Sequence, residues 1–178
     1  MTAEDRTMKR IEEAIGLQHA GDPEGSRQRF TEIWEETGPD GDAFHRCVLA
    51  HYMADLQQNP QDELAWDRLA LEAADSVTDS RVQEHHASLS IRGFYPSLHL
   101  NLAADHHRLG DYAQARAHVA LSRQHMDALR DDDYGQGIRS AVQRLESRLA
   151  AAEAEGCTTS PGARVSDDGV STNDPTRT

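Results

Sequence analysis

The chain has 178 residues, which fits one domain or one domain with a tail and is enough to bury a core without disulfide or metal staples. Its 18 Lys and Arg stand against 31 Asp and Glu, a net charge of -13, which argues against nucleic-acid binding through a bulk basic surface. Aromatics make up 5%, and no stretch approaches the roughly 20 apolar residues of a membrane span, so the chain reads as soluble and mostly helical.

The first nine residues are polar and lack the apolar core of a signal peptide. The two cysteines, Cys47 and Cys157, sit in unlike surroundings and make no disulfide framework, so the expected compartment is the reduced cytoplasm. Period-two runs of Val, Ile and Thr are absent, and strands have little support. Breakers fall at Gly21-Asp22-Pro23, Gly38-Pro39-Asp40-Gly41, Asn59-Pro60, Val77-Thr78-Asp79, Gly93, Pro96, Gly110-Asp111 and Asp131-Asp132-Asp133. Most pieces between them are of helix length. Asp40 or Asp42 can cap a helix over 44–56, and Asp79 the next piece. Asp131, Asp132 and Asp133 favour a helix N-terminus after them.

Phe44, Cys47, Val48, Leu49, Tyr52, Met53 and Leu56 cover most of their helix, which predicts a central element packed on two sides. Residues 80–92 read as an additional helix. Whether it ends at Gly93 and Pro96 or continues into 97–108 is open at this level. Ala115, Val119, Ser122, Met126 and Leu129 step by four and three, as do Tyr134, Ile138, Val142, Leu145, Leu149 and Ala152. Each series predicts one buried stripe. From residue 156 to 178 the chain is rich in Gly, Ser, Thr, Pro and Asp and too poor in apolar groups to offset its ordering entropy. The expected organisation is a helical domain over 1–155 and a disordered tail over 156–178. The tail's two Arg and three Asp leave nearly all of the negative charge on the helical part.

Within the helical part, residues 99–122 contain Leu102-Ala103, then Gly110-Asp111-Tyr112, then Ala115. Gly allows a tight turn, Asp caps the second helix, and the small residues let two helices approach, with Ala103 meeting Ala115. A weaker copy is Ala14, Leu17, Gly21-Asp22-Pro23, Ser26 and Phe30, at the same distances. These segments resemble tetratricopeptide (TPR) repeats, and the chain looks like small TPR-like proteins of actinobacterial type. It departs from the pattern at His99 and His106, where aromatics are usual, and at Ile33 and Ser122, where Ala is usual. The resemblance implies an all-α, right-handed solenoid of antiparallel helix pairs, seven to eight helices in all. It also implies a concave face, lined by the first helix of each pair, that binds protein or peptide.

Here those helices are 44–56 and 97–108. On the second, Asn101, Asp105 and Arg108 share one face, and Asn and Arg side chains can clamp peptide backbone or carboxylate. On the first, His51 and Asp55 share a face. These five are the candidate groove residues, and the acidity points to a basic or polar partner. Self-association is compatible with this reading, and it needs no cofactor. Phe94, Tyr95 and Pro96 are expected to pin a helix joint. A different class of function is a Zn or Ni site built on His51 and Asp55, although the spacing matches no known metal motif. A third class is a small helical enzyme. Cys47 and His51 lie four apart, a spacing open to a nucleophile and base, but the apolar flanks of Cys47 suit a core residue better. Gly-x-Ser-x-Gly, phosphate-loop and Rossmann motifs are all missing.

Overall fold

The computed structural model describes residues 5–77 and 85–158, with side chains described over 5–77 and 91–154. Among these residues the structure is all-helical, with seven α-helices packed in adjacent pairs as in a helical solenoid. They are α1 (Arg6–His19), α2 (Pro23–Thr37), α3 (Ala43–Ala54), α4 (Pro60–Asp75), α5 (His85–Arg108), α6 (Tyr112–Gln124) and α7 (Asp133–Thr158). The pairs are α1 with α2, α3 with α4, and α5 with α6. Successive pairs meet through α2–α3, α4–α5 and α6–α7, while α1, α3 and α5 touch in series to form one layer.

The two repeat-like turns are built alike. Gly21 (φ +85°) and Gly110 (φ +79°) each occupy the left-handed region after a helix. At the first turn, the Asp22 amide donates to the Leu17 carbonyl at 3.0 Å and the Gly21 amide to the Gln18 carbonyl at 3.1 Å. At the second, the Asp111 amide donates to the His106 carbonyl at 2.8 Å and the Gly110 amide to the His107 carbonyl at 3.1 Å. Both are Schellman motifs. Each following Asp then caps the next helix, Asp22 accepting from the Gly25 amide at 2.9 Å and Asp111 from the Gln114 amide at 3.1 Å. The middle pair is joined differently, through a longer turn closed by the Asn59 cap on the Gln61 amide. Proline at position 110 requires φ near -65° and removes the Gly110 donor. Gly110→Pro is therefore expected to lower the thermal midpoint by about 5 °C or more, read by circular dichroism; a melt superimposable on the parent's contradicts the turn assignment.

The crossings use small side chains. Ala14, Ser26, Ala103 and Ala115 are all fully buried. Two of the small residues carry hydroxyls that find carbonyls across the crossing: Ser26 donates to the Ala14 carbonyl at 2.8 Å, and Ser122 to the Pro96 carbonyl at 2.7 Å. Three apolar cores follow one another along the chain. The first centres on Ile11, Phe30, Ile33, Leu49 and Met53. The second holds Cys47, Ala50, Ala70, Ile91 and Leu98. The third holds Leu100, Ala103, Ala115, Val119, Val142, Leu145 and Leu149. Helix α3 contributes to the first two, as a helix packed on two sides must.

Some expectations need correction. Gly93 and Pro96 do not break the chain. The described part of the segment read as an extra helix, 85–92, is the N-terminal part of one 24-residue helix, and Asp79 with residues 80–84 lies outside the described residues. An interior proline costs about 3 kcal/mol. Burial of Ile91, Pro96, Leu98 and Leu100 outweighs that cost. The stripe through Met126 and Leu129 is also not one helix. Helix α6 ends at Gln124, and a 3₁₀ turn, Met126–Ala128, carries the chain on. Tyr134, expected at the head of a buried stripe, is 52% exposed. Asp42 caps α3 by accepting from the His45 amide, and Asp132 accepts from the Gly135 amide at the head of α7. That last helix runs to Thr158, three residues into the segment expected as tail; positions 159–178 lie outside the described residues.

Candidate functional site

The candidate residues fall on α3 and α5, the touching first helices of the second and third pairs. On α5, Asn101, Asp105 and Arg108 share a face as the spacing requires, but much of that face is turned onto α4. Asn101 donates through Nδ2 to Asp67 Oδ1 at 3.3 Å. Arg108 donates to Asp105 Oδ1 at 2.5 Å and also pairs with Glu63. Asp105 and Asp67 are fully buried, whereas the Arg108 side chain is 44% exposed. Asp105 therefore positions Arg108 and is out of reach of a ligand; this corrects its place in the groove. Arg108 reaches solvent with its guanidinium already oriented.

Asp67 and Glu63, four apart on α4, were missed in the sequence. The signal was there: Leu64, Asp67, Leu71 and Ala74 step by three, four and three, which places a carboxyl on a core stripe. Oδ2 of Asp67 and Oδ2 of Asp105 receive no hydrogen bond from any described donor. Burial first, and the Asp105 charge second, push the Asp67 carboxyl well above the ordinary carboxylate range. Burial also raises Asp105, while Arg108 pulls it down. Each carboxyl acts on the other, Asp105 raising Asp67 and Asp67 lowering Asp105, so the pair favours one proton, held on Asp67.

On α3, His51 packs its ring against Tyr52 and Phe94, with centroids 5.3 and 5.8 Å away. Burial lowers its pKa to about 4, so it is neutral at pH 7, and its Nδ1 has no hydrogen-bond partner among the described residues. Asp55 is the C-cap of α3 and is exposed. Desolvation, then the nearby Glu63 charge, raise its pKa to about 6. A carboxylate at a helix C-terminus also meets the negative end of the helix dipole. The neighbourhood extends to α7: the Tyr52 phenol is raised by desolvation, then by Asp55, then by Tyr134. Tyr52, Asp55 and Tyr134 thus form an aromatic and acidic rim beside Phe94 and His51.

The His51–Asp55 metal arrangement needs revision. Among the described residues, Glu63, Asp67 and Asp105 are the group of three potential donors whose atoms lie within 4.8 Å of one another, and it includes neither His51 nor Asp55. These hard oxygen donors suit a cation of the Mg or Ca type rather than Zn or Ni. The Arg108 guanidinium already bonds two of the three. Cys47 is fully buried, and burial holds its thiol up near 12, which does not suit a nucleophile; the side chain of Cys157 lies outside the described residues. Phe94 and Tyr95 join the second core, and the Tyr95 phenol donates to Asp75 at 2.9 Å, fastening α5 to the end of α4. Trp34 and Trp66 meet edge to face at 5.1 Å, with the Arg46 guanidinium 4.6 Å from the Trp34 ring. No helix among the described residues is long and apolar enough to cross a membrane.

No family model matches the chain, and no solved structure matches it. A peroxisomal targeting signal receptor of Candida glabrata is 32% identical over 79 residues, which is 44% of this chain. The chain spans 13% of the length of that receptor, a local similarity within a much longer protein.

Proposed function

We propose that the chain is a non-catalytic protein- or peptide-binding module. It takes a basic, partly apolar segment against the face formed by α3, α5 and the start of α7. The observation that carries this reading is Asp55, an exposed carboxylate at a helix C-terminus, beside a second carboxylate, Glu63, and the rings of Tyr52 and Tyr134. Desolvation and the Glu63 charge make the Asp55 carboxylate less favourable, and a partner's ammonium or guanidinium relieves both. The rings add cation–π contact. The net charge of -13 steers such a segment toward the surface. Similarity to a protein named as a targeting signal receptor supports recognition of a protein segment.

The test is fluorescence anisotropy with labelled peptides that carry Arg and Lys between Leu residues, against versions in which Glu replaces the bases. The basic peptides are expected to bind, and more weakly as salt rises. Asp55→Asn and Tyr52→Ala should each weaken them by about tenfold, or about 1.4 kcal/mol. Equal binding of acidic and basic peptides, or undiminished binding by both variants, overturns the reading.

A further inference from the structure

We propose that the stacked imidazoles joining α5 to α6 form an acid-operated latch, closed when neutral and opened by protonation. Five rings run in a column along this helix pair. Tyr95 stacks on His125 at 5.0 Å, His125 on His99 at 5.8 Å, His99 meets His118 at 5.4 Å, and His118 stacks on His106 at 5.6 Å. Tyr95, His99 and His106 come from α5, His118 from α6, and His125 from the C-cap of α6. The column therefore bridges the two helices along much of their contact.

At its centre, Nδ1 of His99 lies 3.2 Å from Nδ1 of His118. That contact is favourable only when one nitrogen donates and the other keeps its lone pair. With both rings protonated, two N–H groups face each other and two cations stack in a largely desolvated seam, so the geometry accepts at most one proton between them.

The surroundings do not remove this limit. From α4, Arg68 adds positive charge near His118, and Asp75 adds negative charge near His99 while also accepting the Tyr95 phenol. From the N-cap of α6, Asp111 Oδ2 stands 3.7 Å from His106 Nδ1. Burial first, then His118 and His125, lower the His99 pKa to about 4. Burial, His106 and Arg68 lower His118 in the same direction. The closed pair thus binds fewer protons than the opened one between about pH 4 and 6.5. Closure is complete above that window and weakens as pH falls through it. His99 alone shifts the opening equilibrium by about tenfold between pH 7.5 and 5.5.

Amide hydrogen exchange on the whole chain tests this, corrected for the intrinsic effect of pH on exchange. Amides of Tyr112–Gln124 are expected to lose protection by tenfold or more at pH 5.5, and those of Pro23–Thr37 by less. The His99→Gln/His118→Gln variant has amides that pair without titrating, and it should lose the acid response of α6. His51→Gln, which removes the half-buried imidazole of α3, should keep it. Equal protection of α6 in the parent at both pH values overturns the latch, as does an acid response that survives in the double glutamine variant. The readout needs no ligand, so its outcome is independent of peptide binding.

Discussion

Asp67→Asn is expected to stabilise the protein, by about 2 kcal/mol at pH 8 in the presence of a chelator. Asp67 is fully buried, and its Oδ2 receives no hydrogen bond from any described residue. Its carboxyl is raised by burial and by Asp105, so the folded chain holds a proton that the unfolded chain releases above about pH 4. The folded state therefore binds more protons, and this group's contribution to stability falls as pH rises from 4 through neutrality. Asparagine removes the charge with almost no change of shape. Its amide nitrogen can donate to the unpartnered Oδ2 of Asp105, and its oxygen can accept from Asn101. Urea unfolding at several pH values reads the effect: the gain should be small near pH 5 and grow toward pH 8. A variant no more stable than the parent at pH 8, with a parallel pH profile, contradicts the shared-proton account. The imidazoles of His51 and His99 give a slope of opposite sign below about pH 6.5, because both are held near 4 by burial and so favour the neutral ring.

Ala103→Trp is expected to cost more than about 3 kcal/mol and to lower the thermal midpoint by about 10 °C. Ala103 and Ala115 are fully buried in the third core, with Leu100, Val142 and Leu145. Their short side chains set the spacing between α5 and α6, and an indole at the crossing has to drive the helices apart. Ala103→Ser keeps the volume nearly constant and is the contrast, expected to lose less than about 1.5 kcal/mol. Melting by circular dichroism separates them. If the tryptophan variant melts within a degree or two of the parent, Ala103 is not at the crossing.

Both turns with left-handed glycines, their Asp caps and the small residues at their crossings were legible in the sequence, because each is a local requirement tied to one residue type at one offset. The buried series Val142, Leu145 and Leu149 was legible for the same reason. Other features depended on partners far along the chain. Pro96 reads as a stop, since its own neighbours argue against a helix; the burial that overrides it comes from α3, α4 and α6. Tyr134 has the right spacing for burial, but α7 begins where its first turn is uncovered. Asn101, Asp105 and Arg108 were correctly placed on one face. Which way that face turns depends on Asp67 and Glu63, an acidic pair on α4 distant in the chain. The imidazole of His51 suits a ligand by its chemistry, but its aromatic packing, set by Phe94 on α5, turns it to the core instead.

The 24 residues of α5 span about 36 Å, nearly twice the length of α6. Helix α5 is seated in the second core through Ile91 and Leu98 and in the third core through Leu100 and Ala103. One helix, with Pro96 at its middle, is thus held on either side of that proline by different neighbours. The second and third cores therefore share one continuous element, where a run of equal repeats would place a turn between them.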